Sequence, residues 1–72
     1  MNAEPNRTTY DPAADALYVS LAPIAPGAVA ETREVAPGVF LDFDAEGKLL
    51  GMEVLDASAR LPAGGIPAQA AK

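Results

Sequence analysis

Apolar and polar residues alternate from Ala16 to Leu21, with Leu17, Val19 and Leu21 on one side and Tyr18 and Ser20 on the other. A period of two predicts a strand with one buried face. The same period returns in two runs on either side of Glu46-Gly47. Val39, Leu41 and Phe43 alternate with Phe40, Asp42 and Asp44, and Leu50, Met52 and Val54 alternate with Leu49, Gly51 and Glu53. A loop centred on Glu46-Gly47 joins them as a hairpin and pairs Phe43 with Leu50, Leu41 with Met52 and Val39 with Val54, gathering six apolar side chains on one face.

The remaining segments are read from their turn residues. Arg7 to Tyr10 predicts a short first strand, ended by Asp11-Pro12-Ala13-Ala14-Asp15, where Pro fixes φ and Asp carboxylates bond nearby amides. Ala22 to Ala28, with two prolines and a glycine, predicts a surface loop. Val29 to Val35 has the mixed polarity of an edge strand, and Ala36-Pro37-Gly38 the signature of a type II turn. Asp56 to Leu61 begins on a capping residue and is stopped by Pro62, so it predicts one short helical turn.

The fold expected is therefore mainly β (a β-rich α+β class), a single antiparallel meander of four to five strands with a short C-terminal helical turn. Residues 7–61 form the one β-rich domain, with a flexible N-terminus over 1–6 and a flexible Pro/Gly/Ala tail over 62–72. Nine apolar side chains (Leu17, Val19, Leu21, Val39, Leu41, Phe43, Leu50, Met52 and Val54) share one face, and a single helical turn cannot cover them. A homodimer closing sheet against sheet is expected, with a sheet curled on itself as the alternative.

Composition narrows the function. The chain of 72 residues has neither cysteine nor histidine, which removes disulfides, thiolate metal sites and the commonest general base. Ten acidic residues against five basic ones give a net charge of -5, a sign that repels phosphate backbones and anionic lipids. Nucleic acid and membrane are accordingly not expected as partners. No basic start with an apolar stretch behind it precedes the domain, which reads as cytoplasmic.

Carboxylates are the only abundant reactive groups. Asp42, Asp44, Glu46, Gly47 and Glu53 fall at positions 1, 3, 5, 6 and 12 of a calcium loop, oxygen ligands around a turn glycine. Strand alternation on both sides, where that motif needs helices, favours a hairpin turn, so Asp42, Asp44, Glu46 and Glu53 stand only as a secondary calcium candidate. Asp11 and Asp15 could be paired as acid and base, but flanking a proline turn they read as turn stabilisers. Ser20 and Ser58 lack a base. Tyr10 and Tyr18 read as packed at the sheet margin with hydroxyls in water, because a base-stacking platform needs basic residues beside it. Arg33 and Asp42 are candidates to face each other across neighbouring strands. No catalytic residue and no cofactor is assigned.

Two segments carry a resemblance: Tyr10-Asp11 with Asp15-Ala16-Leu17-Tyr18-Val19, and Leu41-Asp42-Phe43-Asp44 with Gly47, Gly51, Glu53 and Leu55-Asp56-Ala57-Ser58. Together they resemble the bacterial domain of unknown function 2283 family, over about Tyr10 to Ser58. The resemblance implies no activity and no catalytic residues; relatives encoded beside small toxin-like proteins imply an antitoxin-like, partner-binding role. The leading reading is thus a non-catalytic protein-interaction module, bound to itself or to a small basic protein. A cation-binding domain comes second and an enzyme working with carboxylates alone third.

Overall fold

The computed structural model describes residues 7–66. Five strands and one helix follow in chain order: β1 (Arg7–Asp11), β2 (Ala16–Ser20), β3 (Glu31–Ala36), β4 (Val39–Phe43), β5 (Leu49–Leu55) and α1 (Ala57–Arg60). The strands form a single antiparallel sheet in the order β1-β2-β5-β4-β3. The β-rich antiparallel sheet is as expected, but its order is not that of a simple meander. The hairpin β1–β2 docks on β5 instead of β3, because the Pro- and Gly-containing loop between Ser20 and Glu31 carries the chain across to the far edge. The chain thus begins β3 at an edge, where Glu31, Arg33 and Glu34 remain exposed.

Register sorts the side chains into two faces. Tyr10, Leu17, Val54 and Val39 lie abreast across β1, β2, β5 and β4, and Thr8, Val19, Met52 and Leu41 form the next row of the same face. Thr9, Tyr18, Glu53 and Phe40, then Arg7, Ser20, Gly51 and Asp42, line the other.

The hairpin β4–β5 keeps the expected pairs Val39–Val54 and Leu41–Met52, but Phe43 pairs with Leu49 and not with Leu50. The loop imposes the change. The Asp44 carboxylate accepts the amides of Glu46 and Lys48, the Asp44 amide donates to the Lys48 carbonyl, and Gly47 turns the chain at φ 83°. Asp44 is thereby fixed opposite Lys48 while Val39 is fixed opposite Val54, so β5 must absorb one extra residue as a bulge. Leu50 is that residue; it is buried, and Leu49 turns outward with 41% exposure. At the other end of β4, Gly38 (φ 77°) closes the Pro37-Gly38 turn, and the β3–β4 register shifts between Glu34 and Ala36.

Burial is centred on β2, β5 and α1, not on β4. Leu17, Val54 and Ala57 make the core, with Tyr10, Val19, Met52, Leu61 and Ile66 packed against it. Helix α1 and the residues after it therefore cover the β1-β2-β5 half of the apolar face. Val39, Leu41 and Phe43 on β4 stay only half-buried. Ile66 packs although Pro62 to Lys72 was expected to be a flexible tail; residues 67–72 and the N-terminal 1–6 lie outside the described residues.

This distribution sets the expected response to truncation. Leu17→Ala, at a position 5% exposed, should cost about 2–5 kcal/mol in chemical unfolding, whereas half-buried Leu41 loses less transfer energy and leaves a cleft open to water. Leu41→Ala melting at or below Leu17→Ala at low concentration would place the core on β4 instead.

Candidate functional site

Of the side chains singled out above, Tyr10, Asp15 and Ser58 assemble into one hydroxyl–carboxylate cluster and Tyr18 and Asp42 into another, one on each side of the sheet. The first is built on the β1–β2 turn. Asp11 accepts the amides of Ala13 and Ala14 at 3.0 and 3.4 Å, which bends the chain after Pro12, and Asp15 ends the turn at φ 53°, a left-handed conformation that Asp tolerates. That backbone aims Asp15 at the start of α1, 43 residues further along the chain. Its carboxylate accepts the Ser58 amide at 3.0 Å, the Ser58 hydroxyl at 2.7 Å and the Tyr10 hydroxyl at 2.6 Å, and its carbonyl accepts the Ala57 amide.

Helix α1 is thus capped from a distant turn. Asp56, expected to cap it, lies at φ 53° and makes no side-chain cap. Its carbonyl instead accepts the amides of Ala59 and Arg60. The hydrogen bonds from Tyr10 and then Ser58 hold the Asp15 carboxyl below its ordinary value, and the same Tyr10–Asp15 bond raises the phenol.

The second cluster lies on the opposite face. Tyr18 on β2 extends diagonally across Gly51 on β5 and donates to Asp42 Oδ2 on β4 at 2.7 Å, while Thr32 on β3 donates to Asp42 Oδ1 at 2.6 Å. A Cβ on residue 51 would sit 2.6 Å from Tyr18 Cζ and 2.8 Å from the Val19 carbonyl oxygen, so only glycine lets the ring lie flat over the sheet. Burial, with the hydrogen bond to Asp42 and the charges of Asp42 and Glu53, pushes the Tyr18 hydroxyl up to about 12.

Both tyrosine hydroxyls are therefore held by carboxylates and not by water alone, a correction to the marginal placement expected for them. Thr32, not Arg33, faces Asp42. Arg33 lies on the apolar side opposite Leu41, where Glu31 accepts its Nε–H at 2.7 Å and its guanidinium sits 4.9 Å from the centre of the Phe43 ring.

The calcium-spaced residues are dispersed by the strands that carry them. Asp42 is engaged by two hydroxyls and Asp44 by turn amides, Glu46 lies 3.9 Å from Lys48, and Glu53 sits between Tyr18 and Phe40. Among the described residues no group of three or more acidic side chains is placed to hold a metal ion. No described helix is long and apolar enough to cross a membrane.

The family model described as "Protein of unknown function (DUF2283)" matches residues 7–58. The chain belongs to that family. No curated protein and no solved structure matches it. The matched span of the DUF2283 domain runs from the first residue of β1 to Ser58, so it contains both clusters entire. Tyr10, Asp15 and Ser58 meet in one, and Tyr18, Asp42 and Gly51 in the other. Six of the residues that carry the family resemblance are thus among those that clasp the fold. Sequence reading missed the Asp15–Ser58 contact; the only signal was that both residues belong to the motif pair.

Asp15 sets a pH dependence. A carboxyl whose native pKa is depressed contributes stability above its unfolded pKa, close to 3.8, and that contribution is lost as pH falls through the native value. The stability gap between the native chain and Asp15→Asn should be full at neutral pH and close as pH drops below about 4. Urea melts across that range check it; a gap independent of pH would show that the ionised carboxylate is not what holds the helix.

Proposed function

We propose that this DUF2283 domain is a non-catalytic protein-interaction module whose open apolar half-face is covered by another small protein. The observation carrying this reading is the half-finished core. Helix α1 and Ile66 lie over β1, β2 and β5, while Val39, Leu41 and Phe43 on β4 are half-buried and lie outside that core cluster. Elsewhere on the chain Leu21, Val29 and Val35 are 38%, 38% and 54% exposed. An apolar surface of this kind on a small chain marks an interaction site.

Charge favours a basic partner, since the chain carries -5 and long-range attraction speeds encounter with the opposite sign. A small toxin-like protein fits that description, as does the antitoxin-like role that the family resemblance implies; a second copy of the chain would cover the same face without the charge advantage. The carboxylates offer little to catalysis, because Asp11, Asp15, Asp42 and Asp44 all accept hydrogen bonds that hold turns, the helix or neighbouring strands. Among the described residues no cluster of ligating side chains favours cation binding as a second reading.

Co-purification from the native host tests the proposal, with Leu41→Thr as the comparison because it removes apolar surface from the open half while keeping a strand-forming residue. The expected result is one small basic protein recovered in stoichiometric amount with the native chain and lost with a Leu41→Thr variant that still melts cooperatively. Recovery of no such protein, or equal recovery with both chains, would contradict it.

A further inference from the structure

The two edges of the sheet are protected to different degrees. Strand β3 exposes Glu31, Arg33 and Glu34, has a register shift between Glu34 and Ala36 and runs into Pro37, all features that resist the addition of another strand. Strand β1 also runs into a proline, Pro12, and exposes two charges, but it pairs with β2 from Arg7 to Asp11 without a shift, and its charges, Arg7 and Asp11, are of opposite sign at its two ends. Among the described residues no strand pairs with its outer row of amides and carbonyls.

The sequence of that edge is complementary to itself. In an antiparallel pairing about a two-fold axis at Thr9, Thr9 meets its own copy, Thr8 meets Tyr10, and Arg7 meets Asp11, the last pair occurring twice. The faces agree as well. Arg7, Thr9 and Asp11 share the side of the sheet that bears Tyr18 and Ser20, so opposite charges lie on one surface, while Thr8 and Tyr10 share the side that bears Val19 and Leu17. A shift of the axis by one residue, to Thr8 or Tyr10, removes the match between Arg7 and Asp11. Opposite charges directly across a strand pair stabilise it, and like charges there oppose it.

We propose that two copies of this chain associate edge to edge through β1, in antiparallel register about Thr9, to form one continuous sheet. The axis stands perpendicular to the sheet, which puts both α1 helices on the same side and leaves both open β4 half-faces free. This surface is separate from the one in the proposed function, and neither depends on the other.

The absence of cysteine from the chain makes a direct test available. Residues directly opposite each other in an antiparallel pair have Cβ atoms about 4.5–5.5 Å apart, close to disulfide reach. Thr9→Cys should therefore form a disulfide-linked dimer under mild oxidation at least about tenfold faster than Ala14→Cys, which lies in the turn beyond the strand. Adding Arg7→Asp, which sets two carboxylates opposite each other, should slow that reaction by about tenfold.

Equal rates for Thr9→Cys and Ala14→Cys, or no effect of Arg7→Asp, would overturn the proposal. If Thr9→Cys does not fold, light scattering of the cysteine-free chain decides: a dimer weakened about tenfold by Arg7→Asp supports edge pairing. A monomer at about 100 µM overturns it, as does a dimer that Arg7→Asp leaves intact, which would assign association to another surface.

Discussion

Asp15 ends the first turn in a left-handed conformation and presents three acceptor contacts to groups that the sequence places far apart or on another strand. The burial of the apolar face depends on it. A helix of four residues has no stability of its own, since nucleation costs more than so few hydrogen bonds return. Anchored by Asp15 at Ser58 and Ala57, it lays a fully buried Ala57 against Leu17 and Val54 and directs Leu61 and Ile66 onto the same half of the sheet. The other half has no such anchor, and its side chains remain partly in water.

Tyr18, Gly51 and Asp42 perform the corresponding task on the opposite face. There the ring spans three strands at the cost of a side chain on β5, and Thr32 extends the contact to β3. An aromatic ring laid over glycine shields a stretch of backbone that would otherwise stand open to water. Tyr10, Asp15 and Ser58 on one face and Tyr18, Asp42 and Gly51 on the other thus form two spatial sets, each joining a hydroxyl from the first hairpin to a carboxylate. Within the span that the family model matches, both sets hold the fold together.

The strands were legible because alternation is a local property, and the pairs Val39–Val54 and Leu41–Met52 followed from keeping apolar residues on one face. The positive φ at Gly47 was legible for the same reason, as turn geometry depends on a few adjacent residues. What escaped was set by contacts between distant segments or by hydrogen bonds that move a register. Asp44 binds two loop amides and so forces Leu50 into a bulge, a consequence invisible to a hydrophobic pattern that scores Leu49 and Leu50 alike. Asp56 resembles a helix cap in sequence, yet Asp15 takes that role across 43 residues. The docking of β2 on β5 likewise follows from a loop long enough to cross the sheet, whose path no periodicity encodes.

Amide hydrogen exchange on the native chain and on Asp15→Ala measures the role of this carboxylate most directly, because it reports each segment separately. Asp15→Ala should abolish protection at Ser58, Arg60 and Leu61 while amides paired between β4 and β5 keep measurable protection. Protection at Ser58 and Leu61 undiminished in Asp15→Ala would contradict that role.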